Sequence, residues 1–484
     1  HIRKVLNDSL KLSEKELQEE LASIRELPEY ASDRARHGLM SRLAQLNPKH
    51  QKAGIEAVKD DAGRPIFNKA ESHAFLGKFW GKQFCEKSID EDKATSFCAE
   101  FSNKIPPEWQ SSDLWFLPFQ LFLLLLTKVK KSAPGPDGIP YSAWAASVFG
   151  IINLFVCYCM WMCNAPLPLF FNISFLWLLP KTAPQDGVFN AKDTRPLSGA
   201  NTDAKIFAMS LGERMNRFLN TWATPVQRGF IRARVMIANV VEVETKSLIY
   251  SRDPCNQSAC LFFDFAAAFP SLARMFIWIA LRAVGIPVKI IRVIKALYVN
   301  NLHFVRTDCG LRFVFCALSG VRQGCPLSSN IFVIVTDCIN RMFRMKLPLD
   351  DLHLAYADDI AMVLRNLWAS GPLICELFTL VAVISSLFLN HAKCVIIPLW
   401  KFIASQVMLA VRTHIPSWSD FAIKTHDKYL GFHVGPGAMN MEWDKLKTDI
   451  LGVARMVEQL HLPAFQFIML YQMLGVSKLE HIAQ

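Results

Sequence analysis

The stretch Leu354-Ala355-Tyr356-Ala357-Asp358-Asp359-Ile360-Ala361-Met362-Val363 sets two acidic residues between two apolar runs. Adjacent carboxylates in such a place are costly, because like charges repel and a buried anion loses its hydration. The flanking segments 352–356 and 360–364 are short, apolar and of strand length, which predicts a β-hairpin with the Asp pair at its tip. A divalent metal ion would compensate the charge, although Asp-Asp pairs also occur in ordinary turns.

A second carboxylate lies upstream, in the apolar run 260–270, where Asp264 is the only charged residue. A continuous apolar run predicts a strand buried on both faces. If this strand lies beside the hairpin, carboxylates from two elements converge on a site that suits Mg²⁺, with Mn²⁺ as an alternative. Two ions about 3.5 to 4 Å apart would clamp the attacking and leaving oxygens of an in-line phosphoryl displacement. The competing interpretation makes Asp264 a bulge, turn or cap residue.

The sequence around these aspartates resembles that of reverse transcriptases, in particular those of LINE-type non-LTR retrotransposons. Residues 356–359 resemble the family's Tyr-x-Asp-Asp box, and Asp264 with Ala268-Phe269 resembles its Asp-x-x-x-Ala-Phe box. Between them, Ser319-Gly320-Val321-Arg322-Gln323-Gly324-Cys325-Pro326-Leu327-Ser328 matches the family's most recognisable segment almost residue for residue. Further motifs follow the family's order at 133–140, 179–181, 195–198, 227–230 with Arg234, 390–393 and 429–431.

The resemblance implies an α+β right-hand polymerase fold. The domains expected from it are an N-terminal helical extension (1–112), fingers (113–240), a palm with Asp264, Asp358 and Asp359 (241–435) and the start of a truncated thumb (436–484). The implied activity is RNA-directed DNA polymerase, transferring dNTPs to a primer 3′-hydroxyl by a two-metal mechanism. The implied partners are an RNA template, a DNA primer, their RNA–DNA hybrid and dNTPs. Because successive strand residues face opposite sides, Asp359 is either a metal ligand or electrostatic support only.

The same resemblance assigns roles around the incoming nucleotide. Gln323 and Gly324 correspond to positions against the template base and the nucleotide, and Arg195 and Lys181 to triphosphate contacts. Lys393 stands where the family has a lysine near the leaving pyrophosphate. For Arg195 and Lys181 the alternative is a solvated surface charge, and for Gln323 and Gly324 it is an ordinary glycine-containing loop.

Phe269 corresponds to the aromatic beneath the nucleotide sugar, where a ring leaves no room for a 2′-hydroxyl. The resemblance therefore implies selection of deoxyribonucleotides, and the alternative is a core residue. The family usually has Lys-Ala-Phe-Asp here, whereas this chain has Ala267-Ala268-Phe269-Pro270. Proline biases the preceding residue away from helix, and such a bias would shift the ring of Phe269. A catalytically inactive nucleic-acid-binding remnant is therefore an open alternative.

Composition agrees with a polymerase. A net charge of +11 and a pI near 9.0 suit a polyanionic partner, because neutralising phosphates releases counterions. Thirteen scattered cysteines indicate free thiols in a reducing compartment, the nucleus or cytoplasm, rather than secretion. The cluster of Cys157, Cys159 and Cys163 lacks the second pair or histidine that a zinc site needs.

Two further expectations concern the context of the chain. It starts at His1 without a signal peptide, so we expect a piece of a longer polyprotein with other domains. Residues 1–50 have a helical pattern, with a capping box from Ser13 to Glu16. The uncharged stretch 145–163 is long enough to cross a bilayer, but asparagines and prolines interrupt or follow it, so we expect a fingers helix rather than a membrane span.

Overall fold

The structure is a computed structural model that describes residues 57–129, 132–181, 188–253, 257–307, 310–438, 441–458 and 468. The chain divides into two compact units, one of residues 1–75 with 179–195 and one of residues 76–178 with 196–484. The four predicted domain boundaries remain predictions. The expected capping-box helix in residues 1–50 lies outside the described residues.

The described chain is a mixture of helices and short strands. Its helices are α1 (Lys69–Gln83), α2 (Glu91–Phe101), α3 (Phe119–Lys128), α4 (Tyr141–Ala145), α5 (Val148–Met162), α6 (Thr202–Trp222), α7 (Met236–Ser251), α8 (Ala268–Ser271), α9 (Arg274–Ala283), α10 (Val288–Ala296), α11 (Ser328–Lys346), α12 (Leu367–Ser385), α13 (Ala404–His414) and α14 (Met441–Glu458). Its strands are β1 (Ala57–Lys59), β2 (Pro65–Ile66), β3 (Ser174–Pro180), β4 (Val188–Asn190), β5 (Thr194–Ala200), β6 (Ala259–Phe263), β7 (Leu302–Thr307), β8 (Gly310–Cys316), β9 (Leu352–Tyr356), β10 (Asp359–Leu364), β11 (Val395–Pro398), β12 (Ala422–Ile423), β13 (Asp427–Tyr429) and β14 (Phe432–Val434).

The smaller unit holds a three-stranded sheet in the order β2-β1-β4. The Asp60 carboxylate accepts hydrogen bonds from the backbone N–H groups of Ala62 and Arg64, which closes the turn between β1 and β2. Ala57 and Val58 are fully buried. The predicted N-terminal helical extension therefore also contains strands, because the segments on either side of the Asp60 turn pair as β1 and β2.

The predicted site lies on a five-stranded sheet in the order β12-β11-β6-β10-β9. Side chains of β6 alternate between two cores: Leu261 and Phe263 point into the cluster that includes α11 and α12, whereas Cys260 and Phe262 join α7. The ring of Phe263 lies 4.7 Å from that of Phe378 on α12. Both faces are thus covered, as the continuous apolar run predicted.

A second sheet has the order β5-β3-β7-β8. Its strands β3 and β5 precede β6 along the chain, and its strands β7 and β8 lie between β6 and β9. Its β7 and β8 form an antiparallel hairpin, and β3 pairs with β7 in parallel at residues 174 and 175. Strands β3 and β5 also carry the chain into and out of the smaller unit. The motif 319–328 begins three residues after β8 and ends where α11 begins.

The uncharged stretch considered as a membrane span contains α5, which has 15 residues and buries Leu154, Tyr158 and Trp161. This helix is shorter than the roughly 20 residues that a bilayer requires. Among the described helices, α12 alone is long and apolar enough to cross a membrane by length and composition. It also buries Ile374, Phe378 and other side chains in the main core, as core helices do. All described cysteines are free.

Candidate active site

The five-stranded sheet, called the palm sheet below after the domain predicted to contain it, brings the predicted aspartates to one end of its central strands. Asp264 directly follows β6, Asp358 lies in the turn between β9 and β10, and Asp359 is the first residue of β10. Strands β6 and β10 are antiparallel, with Phe263 opposite Ile360. Continuing this register by one residue sets Asp264 beside Asp359. The hairpin predicted from the sequence is confirmed.

The carboxylates form a region of mutual repulsion. Burial in the surrounding protein raises the pKa of Asp359 to about 7, and the charges of Asp358 and Asp264 add to the rise, whereas Lys393 lowers it. The Lys393 ammonium lies 3.4 Å from the Asp264 carboxylate. That pair is partly exposed, so it stabilises the site only weakly. Asp359 also keeps an exposed surface, so a cation from solvent can reach the group.

The chemistry of these donors fits a hard divalent cation. Mg²⁺ prefers a few carboxylate oxygens together with water and substrate phosphates, and three neighbouring carboxylates with one nearby lysine supply such oxygens and excess negative charge. Within the described residues, no group of three or more His, Cys, Asp or Glu side chains is arranged to hold a metal ion. The predicted ligands are therefore neighbours rather than a closed coordination shell.

A glutamine side chain holds the residue that precedes the Asp pair. Ala357 has a φ of 60°, a left-handed conformation that costs an L-residue about 1 to 2 kcal/mol. Its N–H donates to Gln227 Oε1 at 2.8 Å, and its carbonyl accepts from Gln227 Nε2 at 3.2 Å. The N–H of Gly229 donates to the same Oε1 at 2.9 Å. Because each bond contributes about 0.5 to 1.5 kcal/mol, the three can offset the backbone cost.

The three hydrogen bonds of the Gln227 side chain are called the Gln227 clamp below, and backbone hydrogen bonds along β9 extend it. The N–H of Ala355 donates to the carbonyl of Val226, and the N–H of Arg228 donates to the carbonyl of Ala355, both at 2.9 Å. A Cβ at position 229 would lie 2.2 Å from the Ala357 nitrogen, so glycine is required there. The sequence marked 227–230 as a family motif but gave no role for Gln227, because its partner lies 130 residues away.

The side chains of Asn239 and Arg234 hold the backbone segments that form the Gln227 clamp. Asn239 on α7 donates to the carbonyl of Ala355 at 3.2 Å and to the Tyr429 hydroxyl at 3.0 Å. The Arg234 guanidinium donates to four backbone carbonyls in the last turn of α6 and the segment that follows it, those of Asn220, Ala223, Thr224 and Gln227. Arg234 therefore ties the segment that carries Gln227 to the C-terminus of a helix, where a cation also interacts favourably with the helix dipole.

Phe269 is half-buried, and its ring lies 4.9 Å from that of Phe332 and 6.0 Å from that of Phe230. It belongs to the one-turn helix α8, so the expectation that Pro270 would keep it out of helix is wrong. Pro270 occupies the first turn of α8, where an N–H has no intrahelical acceptor to lose. The N–H of Val321 donates to the Phe269 carbonyl at 2.9 Å.

Gln323 and Gly324 lie against β5. The Gln323 carbonyl accepts a hydrogen bond from the Ser198 N–H at 2.8 Å, and a Cβ at position 324 would approach Leu197 Cδ1 to 2.8 Å. Gly324 is exposed and Gln323 partly so. Their predicted contacts with template and nucleotide remain predictions.

The two basic residues predicted to contact the triphosphate belong to the smaller unit. Lys181 is exposed, and its ammonium donates to the Lys192 carbonyl at 2.6 Å. Arg195 is exposed on β5. The aspartates and Lys393 are together in the larger unit, whereas the roles of Lys181 and Arg195 stay predictions.

The arrangement of Asp264 beside an Asp-Asp hairpin agrees with a comparison against protein families. The model of the family described as reverse transcriptase (RNA-dependent DNA polymerase) matches residues 179–434, more than half of the chain. The chain belongs to the reverse transcriptase family. This match confirms the resemblance drawn from the sequence and the α+β right-hand polymerase fold. Members of this family act with divalent metal ions on a nucleic-acid template and primer.

Two relatives support the retrotransposon type of this reverse transcriptase domain. The chain is 27% identical over 209 residues to the transposon TX1 uncharacterized 149 kDa protein of Xenopus laevis, covering 42% of the chain and 16% of that relative. It is 25% identical over 270 residues to the retrovirus-related Pol polyprotein from type-2 retrotransposable element R2DM of Drosophila melanogaster, covering 54% of the chain and 24% of that relative. The chain thus spans a minor part of both.

Among solved structures, apo telomerase from Candida tropicalis is similar over 64% of this chain and 56% of that chain, with 11% sequence identity and a TM-score of 0.40. A telomerase structure from the same organism in complex with a fragment of telomeric RNA is similar over 71% of this chain and 58% of that chain, with 10% identity and a TM-score of 0.39.

Proposed function

We propose that this chain carries out RNA-templated DNA synthesis, adding dNTPs to the 3′-hydroxyl of a primer with Mg²⁺ as the metal. The observation that carries the proposal is the position of Asp264 beside the Asp358-Asp359 hairpin at one end of the palm sheet. Membership of the reverse transcriptase family supports the same reaction. The family relationship favours an RNA template, a DNA primer and their RNA–DNA hybrid as partners.

Each residue of the site has a part in this proposal. Asp264 and Asp358, with Asp359 as a third ligand or as electrostatic support, would hold Mg²⁺, which supplies positive charge to the oxygens of the reacting phosphate. Lys393, beside Asp264, would neutralise negative charge near the leaving pyrophosphate. Phe269 would close the space beneath the sugar, Gln323 and Gly324 would lie at the template base and nucleotide, and Lys181 and Arg195 would contact the triphosphate.

The relatives are several times longer than the matched segment, which supports the proposal that further domains accompany this one in a polyprotein. The free cysteines support an intracellular, reducing location, nuclear or cytoplasmic.

Primer extension with the purified chain tests the proposed reaction. We expect dNTP incorporation on an RNA template with Mg²⁺ or Mn²⁺ and none after chelation. Asp264→Asn and Asp358→Asn should abolish extension yet leave template binding nearly intact, because affinity comes mainly from basic contacts to phosphates. Template binding without extension under every metal condition would refute the proposal in favour of the inactive remnant, which the departures at Ala267 and Pro270 suggest.

A further inference from the structure

The side chain of Gln227 is fully buried, and it bonds both polar backbone groups of a single residue, Ala357. Ala357 is joined covalently to Asp358, the first residue of the acidic pair. We propose that Gln227 is a positioning residue that fixes the tip of the hairpin, and with it the orientation of the two carboxylates. This inference rests on the proposed polymerase function.

The chemistry of the contact requires a primary amide of this length. One carboxamide supplies an acceptor for the N–H groups of Ala357 and Gly229 and a donor for the Ala357 carbonyl. Glutamate in its ionised form accepts but cannot donate, and it would add a negative charge next to the Asp pair. Asparagine is one methylene shorter and cannot hold all three partners at these distances.

The geometry also explains why the turn needs support. The left-handed φ of Ala357 is unfavourable for a residue with a Cβ, and Asp358 and Asp359 repel each other. Both effects favour a relaxed turn with the carboxylates further apart. Gln227 opposes this relaxation from the side of β9 that is not paired with β10, since Gln227 forms a parallel bridge with Ala355.

A positioning role predicts a specific kinetic pattern. The Gln227 side chain is buried, and its described hydrogen bonds all go to protein backbone, so its loss should leave template and dNTP binding largely unchanged. Misplacing catalytic groups by about 1 Å can cost roughly 100-fold in rate. Gln227→Ala should therefore lower kcat by about 10- to 100-fold with little change in the KM for dNTP.

Asn172→Ala is the matched control. Asn172 is another buried amide of the larger unit, and its Nδ2 donates to the backbone carbonyls of Ala296 and Val299, both at 2.7 Å. Its removal should lower thermal stability to a similar degree but leave kcat unchanged at a temperature where both variants are folded.

A second test of mechanism is Ala357→Gly, because glycine adopts a positive φ without strain. Adding Ala357→Gly to Gln227→Ala should restore part of kcat.

Gln227→Ala, Asn172→Ala and the wild-type chain would be compared by steady-state extension and by hydrogen exchange of the peptide covering residues 352–364. Faster exchange at the hairpin tip in Gln227→Ala, but not in Asn172→Ala, is the expected result, together with the selective fall in kcat. A folded Gln227→Ala variant with wild-type kcat, or equal kcat losses in the two variants, would overturn the inference. If the wild-type chain is inactive, the proposed function fails, whereas unchanged exchange at the tip would still refute the positioning role by itself.

Discussion

Replacing Phe269 by valine should allow the protein to incorporate ribonucleotides. Phe269 lies on α8, five residues after Asp264, and its ring lies 4.9 Å from that of Phe332 and 6.0 Å from that of Phe230. If this ring occupies the space beneath the sugar, its removal makes room for a 2′-hydroxyl. An apolar pocket commonly distinguishes ligands that differ by one hydroxyl by about 100-fold. We therefore expect the ratio of dNTP to rNTP efficiency to fall by about 10- to 100-fold.

The stability cost of this substitution should be modest. Complete truncation of a fully buried aromatic costs about 3 to 5 kcal/mol. Phe269 is only half-buried, and valine retains part of its apolar volume, so a loss of about 1 to 2 kcal/mol is expected. Such a variant should remain folded at the temperature of the assay, which a thermal denaturation curve would verify.

Single-nucleotide extension with each dNTP and its matching rNTP measures the discrimination directly. Phe230→Leu is a suitable control, because it removes a neighbouring ring without placing a β-branched side chain at the positive φ of position 230, while the contact between Phe269 and Phe332 remains. The control should keep the wild-type ratio. A folded Phe269→Val variant with an unchanged ratio would assign the ring to packing and refute the steric argument.

Three further outcomes follow from charges and hydrogen bonds in the larger unit. Asp359→Asn should stabilise the metal-free protein by an amount that grows as pH rises from 3.8 to about 7, because the folded pKa of about 7 exceeds the ordinary 3.8 and native stability is lost as pH rises through this window; denaturation curves at pH 5 and 8 should show the larger gain at pH 8, and an equal gain at both would contradict it. His353 is fully buried, and burial lowers its pKa to about 3. Below pH 6.5 the unfolded state therefore binds more protons than the folded state, so stability falls as pH drops, by at most about 1.4 kcal/mol per pH unit for this group. His353→Leu should flatten that slope between pH 6.5 and 5, and an unaltered slope would refute the assignment. Arg234→Ala should lower the unfolding free energy by about 3 kcal/mol or more, because it removes four charge-assisted bonds to backbone carbonyls; Arg234→Lys should recover only part of this in urea denaturation, and full recovery would show that charge alone suffices.

The palm was predictable because its signals are local. The apolar run ending at Asp264 and the two short runs around Asp358 each define a strand by composition, and burial of both sheet faces follows from it. The convergence of these strands required only that the hairpin pair with β6. Composition and carboxylate chemistry therefore predicted the strands and a possible metal site, and the family motifs around them distinguished that site from an ordinary turn.

Contacts between distant segments were not predictable in this way. The β1 strand has its parallel partner β4 more than a hundred residues later, so the prediction of a helical N-terminal extension did not include this strand. The bond between Gln227 and Ala357 spans 130 residues and has no composition signal. The prediction that Pro270 would bias Phe269 away from helix was wrong for a different reason. The general bias against helix before proline does not apply within the first turn of a helix that neighbouring residues hold in place.

The contact between α8 and the motif 319–328 has an evolutionary consequence. A Cβ at Gly320 would lie 2.2 Å from the Phe269 carbonyl oxygen and 2.6 Å from that of Pro270, and the Val321 N–H bonds the same Phe269 carbonyl. The segment assigned to the sugar and the segment assigned to the template base therefore share one backbone junction. Substitutions on the two segments should show epistasis, so that variants selected for altered sugar choice acquire compensating changes around Gly320 before they change elsewhere in the palm.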